Sequence, residues 1–332
     1  MAGLKVAVIM GGTSLERRFS LESGRAVAEA LDRAGHEVVP LDADEHLVDT
    51  LRAERPDVAF VCLHGTGGED GSVPALLEFL RIPFVGSRSA ACRAAWNKPD
   101  VPFVMRRTFS PEESRTIWPP EVALSADAFR DLGAASALDL VAERIGSGYP
   151  LAVKPAHGGS ALGVSKVSCL AELGPATMRA LEFDDAVLFE QWVEGCELSC
   201  AVVEEDEGPR VLPPVEIDAG GEVYDTEARL DPSRVACFCP PRASSLGADE
   251  DAAARALAAL ERSAAEVFRA FGCRDLARVD LIWDGTHAMI LDVKTFPGLA
   301  ATSLVPTALA AAGVDAGELL DRLVRRAYER GC

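Results

Sequence analysis

Basic residues are scarce in this sequence. Its 332 residues include 33 lysines and arginines against 52 aspartates and glutamates, so the formal net charge is −19. Proteins bind the backbone of a nucleic acid by neutralising its phosphates with Lys and Arg, so this charge argues against a nucleic-acid partner. A nucleotide ligand is still compatible with it, because a few lysines, backbone amides and Mg2+ can converge on one set of phosphates.

Long apolar runs and an export signal are also absent. No apolar run is long enough to span a bilayer. The first residues, "MAGLKVAVIMGG", lead straight into a strand and do not resemble a signal peptide. We therefore expect no membrane association and a cytoplasmic location.

Disulfides and a zinc ribbon are not expected either. The nine cysteines are odd in number and scattered along the chain, which fits unpaired thiols in a reducing compartment. Cys237 and Cys239, in "CFCP", have the wrong spacing for a zinc ribbon, so we interpret them as thiols of the core.

The length of the chain suits two or three packed units. Over about the first 90 residues, apolar strands such as "KVAVIM" alternate with amphipathic helices, the first at about 22–34, which predicts a parallel, doubly wound sheet. Residues 98–140 contain prolines at 99, 102, 111, 119 and 120, which predict a loop-rich connection. A second unit with a glycine-rich loop follows, and then a third with antiparallel strands and a long helix at 250–271.

Two loops of the first unit carry candidate ligand contacts. Gly11-Gly12 lacks the G-x-G-x-x-G fingerprint, which excludes a dinucleotide-binding turn. Glu16, just beyond it, is placed to hold an ammonium group at the carboxyl end of the sheet. His64 lies in "LHGTGGEDG", where glycines let a ligand approach the backbone. A lone histidine is more often a structural hydrogen-bonding group, but this loop favours a substrate contact.

Two stretches of the second unit suit a nucleotide. "VKPAHGGSALGVSKV" is not a Walker loop, because no G-K-[ST] opens a helix. One interpretation is a glycine-rich hairpin that folds over phosphates, with Lys154 beneath; the other is a plain β-turn. In "FEQWVEGCELS", Glu190 and Glu197 are suited to accept hydrogen bonds from an adenine amino group and from ribose hydroxyls.

The order of these pieces closely resembles the D-alanine–D-alanine ligases of the ATP-grasp superfamily. The resemblance covers nearly the whole chain, weakest at 99–140, and is carried by "GGTSLERRFSL", "LHGTGGEDG", "NK", "VKPAHGGSALGVSKV", "FEQWVEGCELS", "YDTEAR", "ARVDLIWD" and "TFPGLAATSLVP". It implies an α/β fold of ATP-grasp architecture. An N-terminal doubly wound parallel sheet (1–97) would be followed by two α+β ATP-grasp subdomains (98–190 and 191–332), with ATP held between the last two.

The resemblance also implies the activity. ATP would phosphorylate the carboxylate of a first amino acid, and the amino group of a second would attack the acyl phosphate to give a peptide bond, ADP and phosphate. Catalysis would consist mainly of positioning and charge neutralisation. The implied enzyme is a cytoplasmic ligase of peptidoglycan synthesis, commonly a homodimer, that acts on amino acids as small-molecule substrates.

Matching the motifs assigns implied roles to individual residues of this chain. Glu16 would bind the first amino group, Ser160 would help to close the loop, and Arg278 with the Gly298 amide would stabilise the oxyanion. The remaining implied contacts are with ATP phosphates (Lys98, Lys154), adenine (Glu190, Gln191, Trp192, Val193), ribose (Glu197), the substrates (His64, Arg229, Leu230, and Ser303 with the Leu304 amide for the second carboxylate) and Mg2+ (Asp280, Asp292).

The chain departs from the family pattern at three places. Arg229-Leu230 stands where the family usually has Lys-Tyr, so the hydroxyl that normally bonds to the Ser160 position is missing. Pro99 and Pro102 lie where a helix is usual. The metal motif, normally Glu-x-Asn, is Asp292-Val293-Lys294. These differences leave the substrate pair and the number of metal ions open.

Lys294 is the most consequential departure. In a strand it projects from the same face as Asp292, two positions earlier, and so would face the metal. A protonated ammonium cannot be a metal ligand. We expect Lys294 to take the place of one ion, to pair with Asp292 and a phosphate oxygen, and to leave a single Mg2+. In the alternative, its flexible side chain swings out to solvent.

Three functions remain open at this point. The first is a ligase that joins two amino acids, with D-alanine the default for both. The second is a specialised ligase with other substrates, and the third is a catalytically impaired nucleotide-binding homologue. Glu16, Ser160, Arg278, Asp280 and the "TSLVP" turn argue against the third.

Overall fold

A parallel sheet built from the first 90 residues carries the loops that reach the site. The computed structural model of the chain describes residues 3–109, 116–220, 224 and 233–332. The N-terminal sheet has the strand order β2-β1-β3-β4, and all neighbours are parallel. Its elements are β1 (Lys5–Met10), α1 (Arg17–Arg33), β2 (Glu37–Asp42), α2 (Leu47–Glu54), β3 (Val58–Val61), α3 (Ser72–Leu80), β4 (Phe84–Val85) and α4 (Ser89–Trp96).

Both faces of the N-terminal sheet are covered. Val6 and Val8 pack with Leu31 of α1, whereas the alternate residues Ala7 and Ile9 pack in a second cluster with residues of α2 and α3. Since successive side chains of a strand point to opposite faces, an apolar run buried on both sides requires helices on both sides. The prediction of a doubly wound parallel sheet is confirmed.

The connection that follows contains more regular structure than predicted. A short 3-10 helix (Lys98–Asp100) leads into α5 (Val101–Thr108), followed by β5 (Thr116–Ile117), β6 (Glu121–Ser125), α6 (Ala126–Asp131) and a second 3-10 helix (Ala134–Leu140). Pro102 stands in the first turn of α5, where its missing N–H would have no partner within the helix. Proline therefore starts this helix and does not break it, and the prediction of a loop-rich connection was wrong here.

The central sheet forms one wall of the site. Its strand order is β6-β9-β7-β8 with antiparallel neighbours, and its further elements are α7 (Val141–Ile145), β7 (Leu151–Pro155), β8 (Ser165–Val167), α8 (Leu170–Ala180) and β9 (Ala186–Gln191). Leu151 and Val153 pack under α7 and α8, so the alternate residues Ala152 and Lys154 face the opposite way. Strands β7 and β8 flank the glycine-rich segment 156–164, and the predicted hairpin is confirmed.

The large sheet forms the opposite wall. Its order is β13-β12-β10-β14-β15-β5, with β11 paired to β10; the neighbours are antiparallel except β15 and β5, which confirms the predicted antiparallel third unit. Its elements are β10 (Cys196–Glu205), β11 (Gly208–Val211), β12 (Val215–Asp218), β13 (Ala236–Phe238), α9 (Ala243–Leu246), α10 (Glu250–Ala270), β14 (Leu276–Trp283) and β15 (Ala288–Lys294). The apolar face of α10 packs on this sheet through residues such as Leu260 and Val267.

The last two helices return to the N-terminal sheet. The helices are α11 (Leu304–Ala311) and α12 (Ala316–Arg330), and Leu320 and Val324 of α12 join the same apolar cluster as Val27 of α1. Each sheet falls largely within one of the three predicted segments, although β5 joins the large sheet from the central segment. The exact domain boundaries remain predictions.

The cysteines are free thiols, as expected, but one pair is not in the core. All nine are unpaired. Cys237 is exposed and Cys239 is half-buried, because β13 is an edge strand of the large sheet. The interpretation as core thiols was wrong for Cys237, whereas Cys239 packs at the edge of an apolar cluster.

A buried carboxylate fastens the C-terminal helix to the two sheets. Asp275, at the start of β14, is fully buried and accepts hydrogen bonds from the Gly86 amide at 2.8 Å and from Arg330 of α12 at 2.8 and 2.9 Å. A buried charge needs such partners, and breaking the pair leaves the guanidinium without its counter-charge.

We expect Asp275→Asn to lower the free energy of unfolding by about 2 kcal/mol, because a hydrogen-bonded charge pair becomes a neutral contact. Asn keeps the side-chain shape and tolerates the positive φ of 62° at this position. Chemical denaturation compared with the exposed Asp139→Asn measures the difference. Equal midpoints for the two variants would show that the pair does not stabilise the fold.

Candidate active site

A cavity of about 630 Å³ is lined by residues of both the central and the large sheet. Its size is typical of a pocket for a nucleotide-sized ligand. The cavity brings together ten of the residues that the sequence predicts for the site, namely Lys98, Lys154, Ser160, Glu190, Gln191, Trp192, Val193, Glu197, Asp280 and Asp292.

One face of strands β14 and β15 carries four charges. Asp280 lies opposite Asp292 in the antiparallel register, and Arg278 lies opposite Lys294. Strand alternation explains why Arg278 and Asp280 share this face of β14, since the intervening Val279 points the other way and belongs to the core cluster beneath. Two acids and two bases therefore meet on the face that borders the cavity.

A bulge in β15 adjusts this face. Asp280 pairs with Asp292, but the next residue, Leu281, pairs with Ile290, so Leu291 is an extra residue in its strand. As a result Leu291 and Asp292, although adjacent in sequence, both line the cavity. Bulges re-aim side chains in this way, and strict alternation would have turned one of the two into the core.

Asp280 is held by its own strand and by a neighbour. Arg278 donates to its two oxygens from Nε at 2.8 Å and Nη2 at 2.6 Å, and Ser199 of β10 donates at 2.9 Å. Burial alone would lower the pKa of Arg278, but the Asp280 carboxylate outweighs it and raises this pKa above its ordinary value. The guanidinium is therefore a permanent, oriented cation beside Asp280, which lines the cavity.

Lys294 is buried and points toward the site. Its Nζ lies 3.0 Å from Asp292 Oδ2 and 3.3 Å from Glu69 Oε2, so the alternative in which this side chain swings out to solvent does not describe the structure. Burial opposes both charges of the closer pair, yet their mutual attraction lowers the pKa of Asp292 and raises that of Lys294. Burial raises the pKa of Glu69 to about 7.

The glycine-rich loop closes onto the N-terminal unit. Ser160 Oγ donates a hydrogen bond to the Glu16 carboxylate, and both residues are buried. A Cβ added to Gly159 would lie 2.7 Å from Lys294 Nζ and 2.9 Å from Glu16 Oε2. The loop backbone is thus packed against both charged groups, and a side chain at this position would have to displace the end of Lys294 or of Glu16.

The base of the same loop is fastened at two points. Lys98 Nζ donates to the Gly158 carbonyl at 2.6 Å, and the His157 amide donates to Asp184 at 2.8 Å. Burial lowers the pKa of Lys98 to about 8.

Within the described ranges, three potential protein ligands of a metal come together at His157, Asp184 and Asp185 and nowhere else. The predicted metal pair, Asp280 and Asp292, therefore depends on ligand oxygens and water to complete a coordination shell.

The central sheet contributes a further buried ion pair to the cavity. Lys154 Nζ lies 2.7 Å from Glu190 Oε1. Glu121 of β6 lies directly opposite Glu190 in the sheet register, so its side chain projects from the same face. Burial raises the pKa of Glu121 to about 7, and the nearby Glu190 adds to this shift.

The remaining predicted residues are less uniform in their placement. The ring nitrogens of His64 lie 2.9 Å from the Phe296 carbonyl and 3.0 Å from Ser23 Oγ, and burial lowers its pKa to about 4. This placement favours the structural interpretation of His64.

The predicted residues Gly298 and Ser303 lie together. A Cβ added to Gly298 would lie 2.8 Å from Ser303 Oγ, and both residues precede Leu304, the first residue of α11. Arg229 and Leu230 lie outside the described residues.

Comparison with known proteins agrees with this arrangement. The family model "D-ala D-ala ligase C-terminus" matches residues 132–325, and "D-ala D-ala ligase N-terminus" matches residues 44–87. D-alanine–D-alanine ligase of Desulforudis audaxviator is 38% identical over 329 residues, which are 98% of this chain and 99% of that protein. The chain belongs to the D-alanine–D-alanine ligase family.

Further comparisons extend this result. D-alanine–D-alanine ligase of Moorella thermoacetica is 37% identical over 327 residues, or 98% of this chain and 100% of that protein. The crystal structure of the Bacillus anthracis ligase superposes with a TM-score of 0.76 at 26% identity and covers 99% of this chain and 98% of its own. The predicted α/β fold of ATP-grasp architecture is confirmed, and the family is one of ATP-utilising ligases that form C–N bonds. Among the helices described here, none is both long and apolar enough to cross a membrane.

Several cavity residues of this D-alanine–D-alanine ligase family member were missed by sequence reasoning. Arg242 donates to Glu216 from Nε at 3.0 Å and to Asp218 from Nη2 at 2.8 Å, and all three line the cavity. The alternating acids of "VEID" in β12 were an available sign of this site. No comparable sign identified Glu69, whose partner Lys294 lies 225 positions away in the chain.

We expect Glu121 to make the stability of this family member depend on pH. The folded chain keeps the Glu121 proton up to about pH 7, whereas an unfolded chain loses it near the ordinary value of 4.5. The folded state therefore binds the extra proton within this window, and its stability falls as pH rises through it. Glu121→Gln should gain stability relative to the unmodified protein as pH rises from about 5 to about 7.5.

Chemical denaturation at several pH values measures this gain. The exposed Glu182→Gln is the matched control, and its difference from the unmodified protein should stay constant across the range. A constant difference for Glu121→Gln as well would contradict the assignment of this proton.

Proposed function

We propose that the protein joins two amino acids in an ATP-dependent reaction through an acyl phosphate, with D-alanine the default for both positions. One observation carries this proposal. The glycine-rich loop bonds to Glu16 through Ser160 while its base borders the nucleotide-sized cavity. A carboxylate suited to an amino acid's ammonium group thus lies beside the space suited to ATP.

The amino-acid end of the site would work by charge neutralisation. Glu16 binds the ammonium group of the first amino acid. Arg278, fixed in its plane by Asp280 through Nε and Nη2, offers Nη1 to the developing oxyanion together with the Gly298 amide. Ser303 and the Leu304 amide, at the N-terminus of α11, bind the carboxylate of the second amino acid.

The nucleotide end would use the central sheet. Lys98 and Lys154 bind the phosphates, residues 190–193 border the adenine, and Glu197 binds the ribose. Asp280 and Asp292 fit Mg2+, which prefers carboxylate oxygens and commonly takes one or two of them together with phosphate oxygens and water. When bound, this ion neutralises phosphate charge.

The broader assignments follow the family. We propose a homodimer that acts in the cytoplasm on small-molecule substrates in peptidoglycan synthesis. The domain divisions after residues 97 and 190 are proposed on the same basis. These assignments rest on the 38% identity to the Desulforudis audaxviator ligase over 98% of the chain.

The decisive experiment measures ADP release with ATP, Mg2+ and a panel of D- and L-amino acids. We expect release only when amino acids are present, with D-alanine among the best substrates. A maximum with other amino acids would indicate a specialised ligase. Nucleotide binding without release for any pair would indicate an impaired homologue and would refute the ligase proposal.

Glu16→Gln tests the amino-acid anchor. Losing the charge that holds the first ammonium group should lower amino-acid-dependent ADP release by at least about 100-fold, while binding of ATP is retained. Glu29→Gln, an exposed change in α1, the helix that begins directly after Glu16, is the control and should leave the rate unchanged. Near-normal ADP release by the Glu16 variant would remove Glu16 from the site.

A further inference from the structure

The four charged residues on the β14–β15 face form two ion pairs, and each pair lies within one strand. Arg278 is paired with Asp280 two positions later, and Asp292 is paired with Lys294 two positions later. The strand register then sets acid opposite acid and base opposite base. The two carboxylates therefore face each other between the strands, while the other two positions of the face are occupied by the positive charges of Arg278 and Lys294.

Lys294 Nζ stands where three parts of the chain meet. It contacts Asp292 of β15 and Glu69 of the loop that follows β3, and the backbone of Gly159 in the glycine-rich loop passes close to it. The side chain is 7% exposed. Its ammonium is therefore held in place by two carboxylates and covered by the loop that closes the site.

This position conflicts with a second metal ion. Two-metal sites for phosphoryl transfer hold their ions about 3.5–4 Å apart and share carboxylate oxygens between them. Lys294 Nζ is already 3.0 Å from Asp292 Oδ2, and the other oxygen, Oδ1, accepts from the Val293 amide at 2.9 Å, so Asp292 has little left with which it could hold a second ion. An ammonium has donors and no acceptor, so it cannot join a coordination shell, and its charge repels a neighbouring divalent ion.

We propose that Lys294 acts as a tethered cation in place of a second metal ion, contacting a phosphate oxygen of the nucleotide, and that a single divalent ion binds between Asp280 and Asp292. Glu69 is the positioning residue that holds Nζ from the opposite side. The inference rests on the proposed nucleotide-dependent function and deepens it by defining how the phosphates are neutralised.

Metal counting tests this inference without relying on turnover. Mn2+ is titrated into the full-length protein saturated with a non-hydrolysable ATP analogue, and free Mn2+ is followed by electron paramagnetic resonance. We expect one bound Mn2+ per chain for the unmodified protein. Lys294→Asn, which replaces the ammonium with an amide oxygen, should bind a second Mn2+ at least tenfold more tightly than the unmodified protein does.

Two further variants separate charge from other effects. Lys294→Arg keeps a cation and should keep the count at one. Lys5→Asn removes a lysine that likewise lies between two carboxylates, Glu54 at 2.8 Å and Glu37 at 3.5 Å, but on the N-terminal sheet, and it should also keep the count at one.

The outcomes are distinguishable. Two tightly bound Mn2+ ions in the unmodified protein would overturn the inference whether or not any variant folds. An unchanged count of one in Lys294→Asn that still binds the analogue would overturn it as well. If the unmodified protein failed to bind the analogue at all, measured separately by calorimetry, the proposed function itself would fail.

Discussion

Pairing of buried charges is the constraint on which this site depends. The pairs are Arg278 with Asp280, Lys294 with Asp292 and Glu69, and Lys154 with Glu190, and each includes a residue that lines the cavity. A buried ion left without its partner costs several kcal/mol, so each pair keeps its two side chains in place, and the Lys294–Glu69 pair also holds the loop after β3 against β15. The two paired lysines that are proposed to meet the phosphates, Lys154 and Lys294, are for this reason held in position by carboxylates.

These pairs connect parts of the chain that are far apart in sequence. Glu69 and Lys294 are separated by 225 positions, and Ser160 and Glu16 by 144. The loop with Ser160 therefore joins the central sheet to the N-terminal unit at the point where Lys294 arrives from the large sheet. The Glu16 carboxylate, the glycine-rich loop and the buried Lys294 become one site, which no single sheet could form alone.

How well a feature could be predicted from the sequence depended on how far apart in the chain the interacting residues lie. The pattern "KVAVIM" defined β1 because apolar periodicity is local. The helix after Lys98 was missed because proline was taken as a breaker, whereas its effect depends on its position in the turn. His64 was expected at the substrate, yet its contacts with Ser23 and Phe296 are distant in sequence and carry no local pattern.

By itself the sequence determined the alternation of strands and helices over about the first 90 residues, the face of β14 that carries Arg278 and Asp280, and, through its motifs, the family. Those properties follow from local periodicity and from residue types at set spacings. Only the tertiary structure decided that Leu291 and Asp292 both face the cavity, because a bulge interrupts the alternation. It also decided that Lys294 is buried against Glu69, because that contact exists only after the N-terminal loop has packed on the large sheet.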